Sequence, residues 1–229
     1  MNGSDEWQKE DEQANDLQND QSIKDVEKNP HIDSGVVIDV KKAREDHDKH
    51  RKYILGIATS GLFIALMIIS AFISIPIGTI KITLQFLITN ICCLILGKKW
   101  GTISVLLYLL LGLFGLPIFS DGGGFAYVLK PSFGFLIGML VGGFFAAWFR
   151  EKVGKNNFLT YLWASLIDLL ILDIIGVAYG AGIIYGYMHL STAVWDFLMI
   201  MLIPFIPIDI AKCVICALIC PRLSKYRKL

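Results

Sequence analysis

The chain has 229 residues, of which 55% are hydrophobic and only 18% charged, with a formal net charge of +1. So balanced a charge offers no broad field for a nucleic-acid backbone, and no base-reading motif is present, so no nucleic-acid partner is expected. The averages also hide a split that excludes an ordinary soluble domain: residues 1–52 hold 9 of the 21 Lys/Arg and 14 of the 20 Asp/Glu, and most of the apolar content follows.

The head, residues 1–50, is rich in Asp, Glu, Asn, Gln and Lys. It has too little apolar surface to offset the entropy of ordering, so a disordered acidic tail is expected. A polar, acidic start is also not a cleavable signal peptide, which leaves the first membrane helix as the insertion signal. Residues 51–229 read as a membrane domain whose apolar runs are parted by polar, Gly or Pro punctuation. The first run, 53–73, stops at Ser74-Ile75-Pro76-Ile77-Gly78. The second, 83–96, ends at Gly97-Lys98-Lys99, and the third, 102–113, before Gly115-Leu116-Pro117. After the loop Ser120-Asp121-Gly122-Gly123-Gly124, the fourth run is 131–149, the fifth 159–179 and the sixth 192–220, the last containing Pro204 and Pro207. The expectation is an all-α, polytopic membrane protein of six transmembrane helices in the lipid bilayer. The second and third are short, tilted or partly re-entrant, because a full span takes about 20 residues.

Basic residues orient the helices. Lys49, Arg51 and Lys52 precede run one; Lys98 and Lys99 follow run two; Arg150, Lys152 and Lys155 follow run four; Arg222, Lys225, Arg227 and Lys228 follow run six. The alternate loops contribute Lys81 and Lys130 alone, so both termini are expected to be cytoplasmic in a multi-pass plasma-membrane protein.

Across the six runs the one basic residue is Lys212, and the acids are Asp168, Asp173, Asp196 and Asp209. A charge near the bilayer centre costs ~3 kcal/mol or more, so such residues are usually paired and usually functional. Asp209 and Lys212 stand at i and i+3, on one helix face. Lys212 lies about 13 Å from the helix end at Pro221, near the membrane midplane. Pro204 and Pro207 loosen the helix just before Asp209, as in broken helices that line cavities. The pair either fastens helices together or, as the better reading, binds a small molecule: Lys212 receives a carboxylate and Asp209 keeps the lysine charged and oriented.

Other features carry weaker signals. Asp121-Gly122-Gly123-Gly124 lacks the Lys-Ser/Thr of a phosphate-binding loop and reads as a turn or a loop covering a pocket. Gly61-x-x-x-Ala65 and Gly138-x-x-x-Gly142 are faces on which another helix can pack closely. Tyr127, Trp163, Tyr179, Tyr185 and Trp195 suit either stacking on a ligand ring or an interfacial aromatic belt. Cys213-x-x-Cys216 has redox or zinc spacing but lies in an apolar helix without a second pair, so small apolar cysteines are the better reading. Asp168 and Asp173 are possible pocket residues, and His189 reads as a loop residue. No catalytic set, metal-ligand spacing, cofactor motif or ATP-binding motif appears, so the chain is not expected to be an enzyme, and any ATPase must be another chain.

At this point several stretches resemble one family. Ser74-Ile75-Pro76 with Ile82-Thr83-Leu84-Gln85, Ser104–Gly112 with Gly115–Phe119, and Gly122–Gly124 with Tyr127, Pro131 and Gly134-Phe135 are similar to the BioY family. That family comprises the biotin-specific S components of energy-coupling-factor (ECF) vitamin transporters. Pro204-Phe205-Ile206-Pro207-Ile208-Asp209-Ile210-Ala211-Lys212 resembles its Pro-Phe-x-Pro-Gly-Asp-x-x-Lys signature, with Ile208 in place of glycine. Two further differences are Lys130-Pro131-Ser132-Phe133 in place of Gly-Pro-Thr-Gly, and Tyr179 in place of Trp. The resemblance covers about residues 54–221 and implies the six-helix S-component fold. It also implies biotin capture from outside, and partnership with a transmembrane coupling subunit and two cytoplasmic ATPase subunits. By the same resemblance Asp209 and Lys212 meet the valerate carboxylate, Gly122, Gly123, Gly124 and Tyr127 close over the ring system, and Gln85 and Tyr179 complete the site. Gly61 and Ala65 would face the coupling subunit, and Lys130 would offer a second positive charge. A stand-alone secondary transporter of biotin or a related small carboxylate is the alternative.

Overall fold

The computed structural model describes residues 34–77, 80–187 and 205–224. Residues up to Tyr53 form one unit and those from Ile54 onward a second. Helix α1 is Ser34–Phe72. Disorder was expected through residue 50, yet the chain is helical from Ser34, and residues 1–33 lie outside the described part. The reason is cooperative. Once the apolar run has nucleated a helix, each further residue adds a hydrogen bond at little extra cost, and exposed pairs such as Lys49–Asp46, at 3.6 Å, suit the helix surface.

A two-stranded antiparallel hairpin follows, β1 (Ser74–Ile77) and β2 (Ile80–Thr83), in the register Ser74↔Thr83 to Ile77↔Ile80. The fold is therefore mostly helical rather than all-α. Pro76 bars a helix here, and the alternation Ile-Lys-Ile-Thr in β2 has the two-residue period of a strand.

Helix α2 (Gln85–Leu113) is broken at Gly97, whose φ of 81° and ψ of 178° are open to glycine alone. The chain reverses there: a methyl group added at Gly101 would lie 2.6 Å from the Cα of Cys93, which eight residues of straight helix would hold some 12 Å away. Runs two and three are thus two short arms, 85–96 and 98–113, packed on one another without an intervening loop. The freed backbone N–H of Lys98 donates to Oε1 of Glu151 at 2.9 Å. A short 3-10 helix (Phe125–Leu129) leads into α3 (Phe133–Val153), which ends on Gly154 in the left-handed conformation at φ 67°. Helix α4 (Phe158–Gly182) is capped by Asn157, whose Oδ1 accepts from the N–H of Thr160, and it runs into a π-helical turn (Ile183–Tyr187). Helix α5 (Phe205–Leu223) completes the described chain; residues 192–204 of run six, with Trp195 and Asp196, and the loop residue His189 lie outside it.

The core pairs α3 with α4. Gly138 brings the backbones together, for a methyl group there would stand 2.8 Å from the Cα of Leu172, and Gly142 meets Asp168 one turn further on. The Gly138-x-x-x-Gly142 face is thus spent inside the fold, whereas Gly61 has open space around it and Ala65 is exposed. By length and composition four helical stretches among the described residues are long and apolar enough to cross a membrane: Glu45–Phe72, Phe133–Val153, Phe158–Gly186 and, counted through its reversal at Gly97, Gln85–Leu113. Their outward faces are apolar as well, with Leu62, Ile69, Trp163, Leu170 and Ile174 all exposed. No aqueous surface tolerates so continuous an apolar belt, and a multi-pass membrane protein requires one.

Candidate functional site

Helical spacing alone places Asp209 and Lys212 together, and α5 does so: Lys212 Nζ lies 2.6 Å from Asp209 Oδ1. Both residues are buried, each about 6% exposed. A second acceptor comes from far away in the chain, since Nζ also donates to the backbone carbonyl of Thr83 at 2.8 Å, the last residue of β2. The hairpin therefore serves the site by presenting a carbonyl to the lysine. Among the described residues two of its three N–H groups find acceptors, which leaves one donor for a guest.

The pair forms one side of a cavity of about 740 Å³, the solvent at its mouth included. Gln85 and Phe86 enter from the first turn of α2, and Ser120 and Tyr127 from the segment between α2 and α3. Phe135, Leu136 and Met139 come from α3, Leu172 and Asp173 from α4, and Phe205 from α5. An apolar wall with a few convergent polar groups is the usual make-up of a small-molecule site.

Of the residues expected at the site, Asp209, Lys212, Gln85 and Tyr127 line the cavity. Tyr179 and the three glycines stand one step behind. The Tyr179 hydroxyl donates to the Val128 carbonyl at 2.6 Å, and its ring meets the Phe133 edge at 5.9 Å. It holds the 3-10 helix that carries Tyr127. Gly122 (φ 108°) and Gly124 (φ 96°) turn the loop back, with Gly124 N–H donating to Gly112 O at 2.7 Å. That turn seats Phe119 against Tyr108 and Tyr127, at ring-centroid separations of 5.6 and 4.7 Å. The glycines thus shape the wall without lining it. Lys130 sits outside the cavity, its Nζ 4.7 Å above the Tyr127 ring and donating to Asp121 O at 3.1 Å.

Asp173, only a possibility from its sequence position, lines the cavity. Asp168 does not: it is fully buried against Gly142, and its carboxyl oxygens have no hydrogen-bond partner among the described residues. Trp163 and Tyr185 are 60% and 66% exposed, so they face the surroundings rather than a guest. Cys213 and Cys216 are buried free thiols in the core, the apolar role read from the sequence. Among the wall residues that sequence reading missed, the apolar ones of α3 and α4, Phe135, Leu136, Met139 and Leu172, carry no signal of their own. Apolar residues of α3 and α4 look alike whether they face a cavity or a neighbouring helix.

Comparison with known proteins points the same way as this geometry. The sequence profile described as the BioY family matches residues 42–228. The biotin transporter BioY of Thermotoga maritima is 36% identical over 169 residues, covering 72% of this chain and 94% of that protein. A probable biotin transporter BioY of Pyrococcus horikoshii is 33% identical, covering 71% of this chain and 92% of its own. Among solved structures, the crystal structure of the S-component for biotin from an ECF-type ABC transporter superposes with a TM-score of 0.64 at 31% identity. It covers 76% of this chain and 93% of that one. A profile match across most of the chain, relatives aligned over nearly their whole length and a shared fold lead to one conclusion: this chain belongs to the BioY family.

Proposed function

We propose that the chain is the biotin-capturing S component of an ECF-type, ATP-driven vitamin transporter, a transport subunit rather than an enzyme. It works in the plasma membrane beside a transmembrane coupling subunit and two cytoplasmic ATPase subunits. Six spans are assigned: α1, the two arms of α2, α3, α4, and the apolar run that ends in α5. Both termini and the acidic head are cytoplasmic, on the strength of the Lys/Arg distribution.

The observation that carries this reading is the buried Asp209–Lys212 pair, held at 2.6 Å on the wall of a cavity. Burying two charges is a poor way to stabilise a helix bundle, whereas a lysine with one donor to spare is a ready receptor for a carboxylate. Gln85 and Tyr127 contact the guest directly. Gly122, Gly123, Gly124 and Tyr179 act by shaping the wall, and Lys130 lies near enough to the Tyr127 ring to attract an anion at the rim. Gly61 and Ala65 form the small-residue face offered to the coupling subunit.

Titration calorimetry of the purified, detergent-solubilised protein with biotin tests the assignment. Lys212→Ala is expected to weaken binding by at least ~100-fold, the loss of a buried charged contact. Unchanged affinity in that variant would overturn the site. Repeating both titrations with biotinamide, whose tail is neutral, identifies the partner of Lys212. If the carboxylate is the partner, the two proteins bind the amide about equally weakly.

A further inference from the structure

Asp173 is the carboxyl of the described cavity lining that the ion pair leaves over. Asp209 and Lys212 neutralise one another at 2.6 Å, and the half-buried carboxyl of Asp173 lines the same cavity from α4. No described cation other than Lys212 lines that cavity. Besides Asp173, the titratable groups of the described lining are Asp209 and Lys212 from α5 and the phenol of Tyr127 from the 3-10 helix; the described lining residues of β2, α2 and α3 are not titratable. The described lining thus holds two carboxyls and one ammonium. A guest that brings a carboxylate to Lys212 makes three carboxyls around one ammonium, in a cavity enclosed by membrane helices. Like charges sharing a poorly solvated site do not all stay ionised, and the group that keeps a proton belongs to the coupled set rather than to one residue.

We propose that biotin binding is linked to the uptake of one proton, shared between Asp173 and Asp209, an inference that rests on the reading of Lys212 as the carboxylate receptor. The proton comes from bulk solvent and returns to it on release, and no bond other than O–H forms or breaks. The sign follows. At low pH the acid is already protonated before biotin arrives, so affinity is highest and no proton is taken up. As pH rises through the range in which the empty pocket ionises, each binding event must recruit a proton, and affinity falls by up to about tenfold per pH unit.

Calorimetry at one mildly alkaline pH, in phosphate and in Tris, reads the linkage directly, because the two buffers differ in ionisation enthalpy. Wild-type protein is expected to show buffer-dependent heats corresponding to about one proton taken up per biotin. Asp173→Asn is expected to abolish both that difference and the pH slope, and so to bind biotin more tightly than wild type at alkaline pH. In the wild-type protein, biotinamide is expected to bind without proton uptake, a control that stands even if the variant fails to fold. Equal heats in both buffers with a flat pH profile, or uptake that persists in Asp173→Asn, would overturn the inference. Failure of the underlying reading looks different: Lys212→Ala then binds biotin as tightly as wild type in either buffer.

Discussion

The hydroxyl of Tyr179 donates a 2.6 Å hydrogen bond to the backbone carbonyl of Val128, tying the upper part of α4 to the 3-10 helix that carries Tyr127. Tyr179 does not line the cavity, yet it sets the position of a residue that does. Tyr179→Phe removes that bond and keeps the ring, so ~1 kcal/mol of positioning is lost. The expected result in calorimetry is roughly fivefold weaker biotin binding, mainly through faster release. A loss as large as that of Lys212→Ala would mean that Tyr179 touches biotin itself.

The Asp209–Lys212 pair makes a non-additive prediction. Lys212→Ala strands a buried carboxylate and is expected to cost ~3–5 kcal/mol of stability. Replacing both members by apolar residues of similar size, Asp209→Leu with Lys212→Met, removes the unpaired charge. The double variant should melt closer to wild type than Lys212→Ala does, while still failing to bind biotin. Thermal unfolding in detergent, read beside a binding titration, separates the two effects. A double variant less stable than Lys212→Ala would show that the pair holds the bundle together.

Gly97 carries the reversal between the arms of α2 at φ 81° and ψ 178°. A side chain in that region costs ~1–3 kcal/mol, so Gly97→Ala is expected to lower the melting temperature without touching the cavity. Biotin affinity of the folded fraction should stay near wild type. A selective loss of binding with unchanged melting would show that the turn communicates with the pocket.

The two small-residue motifs are expected to behave oppositely. Gly138 packs against the backbone of Leu172, so Gly138→Val drives α3 from α4 and destabilises the fold by ~1–3 kcal/mol or more. A methyl group added at Gly61 would meet no neighbouring element within 4 Å, so Gly61→Val is expected to leave melting and biotin binding unchanged. Uptake by cells that hold the coupling subunit and ATPases should nevertheless fall in Gly61→Val. Normal uptake would remove α1 as the coupling face, and biotin uptake by the wild-type chain in cells lacking those subunits would favour a stand-alone transporter.

Legibility in the sequence followed the range of the interaction. The apolar runs, the Lys/Arg alternation and the Asp209–Lys212 spacing are local patterns, and each could be read from neighbouring residues. The helical start at Ser34 was missed because composition reports what a segment can bury, whereas here the helix propagates from the adjacent run. The β-hairpin was missed because a four-residue strand beside long apolar runs reads only as punctuation. Tyr179 was placed in the site by resemblance, yet its hydroxyl is spent on a backbone carbonyl 51 positions earlier.

From its order of residues alone the protein determines that it enters a membrane, that its helices divide at Gly97 and around Pro76 and Pro117, and that Asp209 and Lys212 share a face. Period, punctuation and charge act over a few residues and need no knowledge of the rest of the chain. Only the tertiary structure decided that Thr83 presents its carbonyl to Lys212 across 129 positions, that Asp173 shares that cavity while Asp168 does not, and that the glycine loop props Tyr127 instead of lining the pocket. Those outcomes depend on which helix faces meet, and that is settled by backbone approach at glycines such as Gly138 and Gly142, where a missing side chain determines what lies opposite.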